Sequence, residues 1–384
     1  MSTPNYRVRL FLTVDLVGST AFKMAHQQHK PDPANPHPHW VHEFRQFYRQ
    51  FPETLRGRYR QATNVQGDPN AEPPGCPKIW KTIGDEILFC CRVESVQHIA
   101  CCVQAFLAAL DEYGSQLDGN VALDVKGSGW LAAFPSENIS IEVLSGNANT
   151  PTESDEPDED FEKSADDQPS KFDFLGTGID TGFRISKNAT SDRFTASVGL
   201  AYHLSKAATL HLFNGVFEYH GRESFKGVNR DQPYPVVTIV SERNEKKREM
   251  RDRERLVLRQ ESAPPLALFD FLKAFMEHEN IDPPTLPLRT GDSAPNPPPS
   301  YQRYLEGLQS QRKESAKRDA GMVKAAEIAD DTNVPIPNTV RAFLKGEVKK
   351  SPHEEPTNVM QSKKVHRRGR GRLVRRKLRD QDRD

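Results

Sequence analysis

Apolar positions along the first two-thirds of the chain follow two periods, one of strands and one of helices. Val8-Arg9-Leu10-Phe11-Leu12-Thr13-Val14-Asp15 reads as a buried β-strand that ends in a carboxylate. Residues 25–40 are rich in His and Pro and read as a loop, and residues 39–56 as a helix. Lys78 to Thr82 and Glu86 to Cys91 are short apolar runs separated by Ile83-Gly84-Asp85, the pattern of a tight β-hairpin. Val96, Ile99, Ala100, Val103, Phe106, Leu107 and Leu110 recur at helical spacing and predict an amphipathic helix. Val121 to Phe134, Phe194 to Val198 and Tyr234 to Val240 read as further strands. The order β-α-β-β-α-β predicts an α+β fold, a ferredoxin-like core with additions and with helices on one face of an antiparallel sheet.

Past residue 243 the pattern changes, which divides the chain into an expected catalytic domain, 1–243, and an extension, 244–384. Residues 243–260 are charged and helical in pattern, Leu266 to Met276 suits a short amphipathic helix, and 283–300 carry many prolines. The chain ends on a basic run with Lys363, Lys364, Arg367, Arg368, Arg370, Arg372, Arg375, Arg376, Lys377 and Arg379. Such a run can hold nucleic acid by charge alone, although a solvated tail is the plainer reading. An acidic insertion at about 148–170 has nine acidic side chains and only Lys163 opposing them over 151–170. It is expected to be a solvated, disordered loop, with a metal-binding acidic loop as the alternative.

Composition narrows the setting. Lys+Arg and Asp+Glu each total 53, so net charge points to no partner, and a mean hydropathy of −0.71 leaves room for unpacked segments. No run has the length of a membrane span or the form of a signal peptide. The five cysteines (Cys76, Cys90, Cys91, Cys101, Cys102) are odd in number, lack a C-x-x-C and lie in apolar patterns, so a reducing cytoplasm is expected.

Three segments carry candidate chemistry. In Phe11-Leu12-Thr13-Val14-Asp15-Leu16-Val17-Gly18-Ser19-Thr20, a strand delivers Asp15 to its end. The N–H groups of Gly18, Ser19 and Thr20 in the following turn can cradle phosphate oxygens; an ordinary helix cap would look the same. In Ile79-Trp80-Lys81-Thr82-Ile83-Gly84-Asp85-Glu86, Asp85 sits at a hairpin tip. If that hairpin neighbours the first strand, Asp15 and Asp85 converge and repel unless a cation lies between them. Hard oxygen ligands suit Mg²⁺ or Mn²⁺ with substrate phosphates completing the shell, whereas Gly-Asp turns are common in hairpins. In Phe172-Asp173-Phe174-Leu175-Gly176-Thr177-Gly178-Ile179-Asp180-Thr181-Gly182-Phe183-Arg184, Asp180 and Arg184 are four apart on one helix face, which equally suits a plain ion pair. His26, His29, His37, His39 and His42 read as a mobile loop before a metal cluster, and Tyr48 and Trp80 as core packing before a base pocket.

Together the three segments resemble the class III nucleotidyl cyclases, over residues 7–241. The resemblance implies two divalent ions, Mn²⁺ or Mg²⁺, held by Asp15, the Leu16 carbonyl and Asp85. It implies base contacts from Lys81 and Asp173, transition-state stabilisation by Arg184, and phosphate contact by Lys226 of Phe225-Lys226-Gly227. It further implies a homodimer with shared sites, Asp15 and Asp85 from one chain and Lys81, Asp173 and Arg184 from the other. Asp180 departs from the family's asparagine, and it can orient Arg184 or accept from a ribose hydroxyl. The wording W-K-x-I-G-D-E-I-L-F and F-L-G-x-x-I-D-x-G-F-R-I-S-K is similar to a narrower branch, the bacterial Pycsar cyclases, which make cyclic pyrimidine mononucleotides during phage infection. That implies UTP or CTP as substrate and a separate effector that reads the product. An adenylate cyclase and an inactive cyclase-like binding module stay open as alternatives.

Overall fold

In the computed structural model of the 384-residue chain, residues 3–26, 37–64, 72–117, 123–143, 158–258 and 262–331 are described. The strands are β1 (Arg7–Val17), β2 (Lys78–Ile83), β3 (Glu86–Val93), β4 (Asp124–Phe134), β5 (Asn138–Glu142), β6 (Phe172–Gly176), β7 (Arg193–Ala196), β8 (Phe217–Glu223) and β9 (Tyr234–Val240). The helices are α1 (Ser19–Ala25), α2 (His39–Thr63), α3 (Val96–Leu117), α4 (Glu159–Asp167) and α5 (Thr177–Ile185). They continue with α6 (Val198–Thr209), α7 (Glu245–Leu258), α8 (Pro265–Glu279) and α9 (Pro299–Asp331).

Alternation along β1 sets the layers. Val8, Leu10, Leu12, Val14 and Leu16 join the core under α2, α3 and α6, while Phe11 joins a second core on the opposite face. The seven-stranded sheet runs β2-β3-β1-β4-β7-β9-β8, with β4 and β7 parallel and every other neighbouring pair antiparallel. Its first four strands have the ferredoxin-like order, and the fold is α+β as expected. Phe51, Phe89 and Phe106 lock α2 and α3 to the sheet through ring contacts of 5.6–6.2 Å.

Helices cover both faces of the sheet, not one. Phe11, Trp80, Trp130, Phe134 and Phe174 are buried on the second face, under α4, α5 and the β5–β6 ladder. Residues 158–167 of the acidic insertion, expected as solvated loop, fold as α4 because their carboxylates find buried partners; residues 148–157 lie outside the described residues. The Asp158 carboxylate accepts from the N–H groups of Asp160 and Phe161, and acidic residues fill the first turn, where a helix favours negative charge. Arg7 then binds Glu159 (2.5 Å) and Asp166 (2.7 Å), and Arg9 binds Glu162 (2.7 Å) and Asp166 (2.6 Å).

The composition break at 243 is not a break in packing. Residues 1–311 form one compact unit, with 312–384 as a second. Tyr202 of α6 stacks on Phe269 of α8 at 4.7 Å. The Pro-rich stretch beyond α8 runs as a strap: Pro284 O meets His203 Nε2 at 2.7 Å, Pro287 O accepts from Val96 N, and Thr285 N donates to the Tyr6 hydroxyl. The basic run at 363–379 lies outside the described residues. Among the described residues no helix is long and apolar enough to cross a membrane. All five cysteines are free and four are buried.

Candidate active site

The site is built where three central strands end together. Asp15 on β1 lies opposite Glu86 of β3 on one side and Lys126 of β4 on the other. Gly84-Asp85 turns the β2–β3 hairpin beside it, and Leu16 N donates to the Asp85 carbonyl at 3.3 Å. Gly18 has φ of 82°, a left-handed conformation that glycine adopts without strain, and so turns the chain sharply from β1 into α1. That turn aims the Ser19 hydroxyl at the Asp85 carboxylate, to which it donates a hydrogen bond. The Tyr48 hydroxyl donates to the Gly84 carbonyl, which ties the hairpin tip to α2.

Two cavities meet at Asp15. A cleft of about 550 Å³ is lined by Asp15, Leu16, Gly18, Ser19, Thr20 and Asp85 among others. A narrower recess of about 140 Å³ lies between Asp15, Thr13, Glu86, Ser128 and Lys187. Lys126 lines both, and its ammonium sits 3.2 Å from Asp15 Oδ2. Burial raises the Asp15 carboxyl above its usual range and the Asp85 charge adds to that, against the pull of Lys126. Glu86 is raised likewise, by burial first and then by Asp15 and Asp85, although the Thr13 hydroxyl donates to it. Asp15 thus meets Asp85 at the cleft and Glu86 at the recess, with the Lys126 ammonium lining both, and a cation in the cleft would relieve the two aspartates.

The donor set fits a divalent ion only in part. Among the described residues, no group of three or more His, Cys, Asp and Glu converges to hold a metal ion unaided. Two aspartates and the Leu16 carbonyl beside an open cleft instead suit an ion whose shell is completed by water and substrate oxygens, the usual habit of Mg²⁺.

A second group of predicted residues gathers elsewhere. Lys81 on β2 and Asp173 on β6 form an ion pair of 2.8 Å, and the Lys81 ammonium lies 4.0 Å from the Trp80 ring centroid. Trp80 is buried, and its indole N–H donates to Phe172 O, so its role is core packing. Asp180 and Arg184 are both exposed on α5, and the plain ion pair that their spacing allows is not formed. Lys226 is exposed on the β8–β9 loop, where its neighbour Phe225 lies 4.6 Å from the Lys187 ammonium. Lys81, Asp173, Asp180, Arg184 and Lys226 line neither cavity at Asp15.

Lys126 carries little mark of its place in the sequence. Its signal is a lone cation alternating with Ser128 and Trp130 on a strand that is apolar or small after Asp124, but nothing local says which neighbour that strand has. Lys187, the last residue of the F-R-I-S-K run, has no local mark of a role, and only the fold brings it to the recess.

No family model and no curated protein matches the chain. Among solved structures, it is similar to the adenylyl cyclase CyaB from P. aeruginosa, at 9% identity over 63% of this chain and 97% of that one, TM-score 0.39. It is also similar to the guanylate cyclase domain of RhGC from Catenaria anguillulae in complex with GTP, at 10% identity over 62% and 100%, TM-score 0.37. Identities and scores this low assign no chemistry to the chain.

Proposed function

We propose that the protein is a nucleotidyl cyclase that converts a pyrimidine nucleoside triphosphate, UTP or CTP, to its 3′,5′-cyclic mononucleotide and pyrophosphate. The observation that carries this reading is the convergence of Asp15 and Asp85 on one cleft beside the Gly18-Ser19-Thr20 turn, with Asp15 raised by burial. Asp15, the Leu16 carbonyl and Asp85 would hold two Mn²⁺ or Mg²⁺ ions. Bound there, such ions supply Lewis acidity toward the ribose 3′-oxygen and the phosphates. The turn N–H groups and Lys126 hold polyphosphate oxygens by charge and hydrogen bonding.

Arg184 stabilises charge that develops at the α-phosphate, Lys226 the leaving pyrophosphate, and Lys81 with Asp173 the base. Because those residues line neither cavity at Asp15, the reading needs a second copy: each site takes Asp15 and Asp85 from one chain and Lys81, Asp173 and Arg184 from its partner. The apolar strip beside Asp173 suits such a partner. Ile139, Ile141 and Leu175 are 49%, 41% and 47% exposed on the outer face of the β5–β6 ladder, more than an unpartnered surface needs. Asp180, which makes no ion pair with Arg184, accepts from a ribose hydroxyl. The motif wording supports the pyrimidine choice and a role in antiphage signalling through a separate effector that binds the product.

Incubating the full-length protein with Mn²⁺ and each of the four ribonucleoside triphosphates, then weighing the products, tests the reading. UTP or CTP is expected to cyclise fastest. ATP preference would make it an adenylate cyclase, and no cyclic product from any of the four would leave a binding module.

A further inference from the structure

Helix α5 carries Arg184, and its first N–H groups need acceptors. Its cap residue, Gly176, has no side chain, and no neighbour in sequence caps it. The acceptor comes from forty residues earlier. Asn138, the first residue of β5 and 2% exposed, accepts at Oδ1 from Gly178 N (3.0 Å) and Ile179 N (3.4 Å). Its Nδ2 donates to Ala133 O at 2.9 Å, near the end of β4. Two N–H groups on one side and a carbonyl on the other fix the orientation of the amide. One buried side chain therefore ties the start of α5 to the end of the central strand β4.

A second contact fixes the rotation of the helix. Gly182 lies against the indole of Trp130, where a Cβ would come within 2.1 Å of the ring. Asp180 and Arg184 are two residues to either side of Gly182, about 200° around the helix, so both point away from the sheet. Ile179, Gly182 and Ile185 are buried, which agrees with that rotation. The exposed guanidinium thus stands on a helix located at its N-terminus by Asn138 and turned by Gly182.

We infer that Asn138 is a positioning residue for Arg184: its carboxamide sets where α5 begins on the sheet, and so where the guanidinium reaches. The inference rests on the cyclase reading of Arg184. A stabilising group displaced by about 1 Å can lose on the order of 10²-fold in rate, so the alignment is a kinetic matter more than a binding one.

The test uses full-length Asn138→Ala and Asn138→Asp, each alone and combined with Arg184→Ala, with kcat and KM measured on the preferred triphosphate and Mn²⁺. Asn138→Ala is expected to lower kcat by about 10- to 100-fold at nearly unchanged KM. Asn138→Asp keeps the acceptor for the helix N–H groups but replaces the donor to Ala133 O by a second oxygen, so the tie to β4 is lost and kcat should fall by a similar factor. In the Arg184→Ala background, Asn138→Ala should have no further effect on kcat, since coupled groups do not add. If Asn138→Ala does not fold, Asn138→Ser, too short to reach both partners, is expected to show the same pattern. An equal loss with and without Arg184, an Asn138→Asp as fast as wild type, or an unaffected kcat in Asn138→Ala overturns the inference alone. An Arg184→Ala enzyme as active as wild type overturns the reading of Arg184 and the inference with it.

Discussion

Strand β1 carries Arg7 and Arg9 near its start and Asp15 near its end, all three on one face of the sheet, and the two ends handle charge in opposite ways. At the start, both arginines are fully buried and meet three carboxylates of α4, while the Arg9 guanidinium also lies 4.4 Å from the Phe134 ring centroid. Ser140 completes the set, accepting from Arg9 and donating to Glu162. At the end, Asp15 pairs with Lys126 while Asp85 and Glu86 flank it without an ion pair of their own among the described residues, and Asp15 and Glu86 are raised above their usual range. Between the ends lies an aromatic plug of Phe11, Trp80 and Trp130. Where charges on this strand are matched and covered they serve the fold. Where they are left short of a cation and open to a cleft, the arrangement favours ligand binding over stability.

The largest effect should appear at the open end. Asp85→Ala is expected to lower cyclisation by several orders of magnitude, and Arg184→Ala by about 10²–10³. Mixing the two inactive proteins and letting subunits exchange should restore roughly a quarter of wild-type activity. Half the dimers are then mixed, and each mixed dimer holds one intact site. Verified exchange with no regained activity would contradict a shared site.

Next comes the closed end. Arg9→Met leaves Glu162 buried without its cation and Asp166 with Arg7 as its close partner, and should destabilise by about 3–5 kcal/mol. Urea unfolding measures it, and a loss under about 1 kcal/mol would mean the network is not structural. A smaller effect separates the ends again. Mn²⁺ at about 100 times its dissociation constant should stabilise the wild type by about 2.7 kcal/mol. The melting shift should vanish in Asp85→Ala and persist in Arg9→Met if Arg9 folds the protein without touching the metal. A shift that survives Asp85→Ala would place the ion elsewhere.

The contrast explains what could be read from the sequence. Period-2 and helical patterns gave β1 to β4 with α2 and α3, because those elements carry most of the apolar core and their composition shows it. Asp15 and Asp85 were legible since strand ends and Gly-Asp turns leave local marks. The acidic stretch 158–167 misled because charge alone reads as solvated, and its partners Arg7 and Arg9 lie about 150 residues away in a run that looks purely apolar. Lys126 and Asn138 were missed for the same reason: each acts across strands whose neighbours only topology decides.

The smallest expected effect tests the charge argument most directly, through the sign of two substitutions. Glu86 has a raised carboxyl in the folded state, by burial and then by its acidic neighbours, so its ionisation works against folding. The folded form binds the proton more tightly than the unfolded one. Its contribution is therefore favourable below the unfolded value of about 4.3 and is lost as pH rises through the folded value. Glu86→Gln should thus stabilise the metal-free protein at neutral pH, with the gain fading toward acid. Glu159 is the reverse case. Burial would raise it, but the Asn5 N–H and the Arg7 guanidinium together hold it below its usual range. Its contribution is present above about 4.3 and is lost as pH falls through the folded value. Glu159→Gln should then destabilise at neutral pH by about 1 kcal/mol or more, converging on the wild type in acid. Urea unfolding from about pH 3 to pH 8 would trace two difference curves that approach zero from opposite sides, each running between the unfolded and folded pKa of its own residue. Curves of the same sign at pH 7 would mean that the carboxylates at the open end are already satisfied, and that no cation is missing from the cleft.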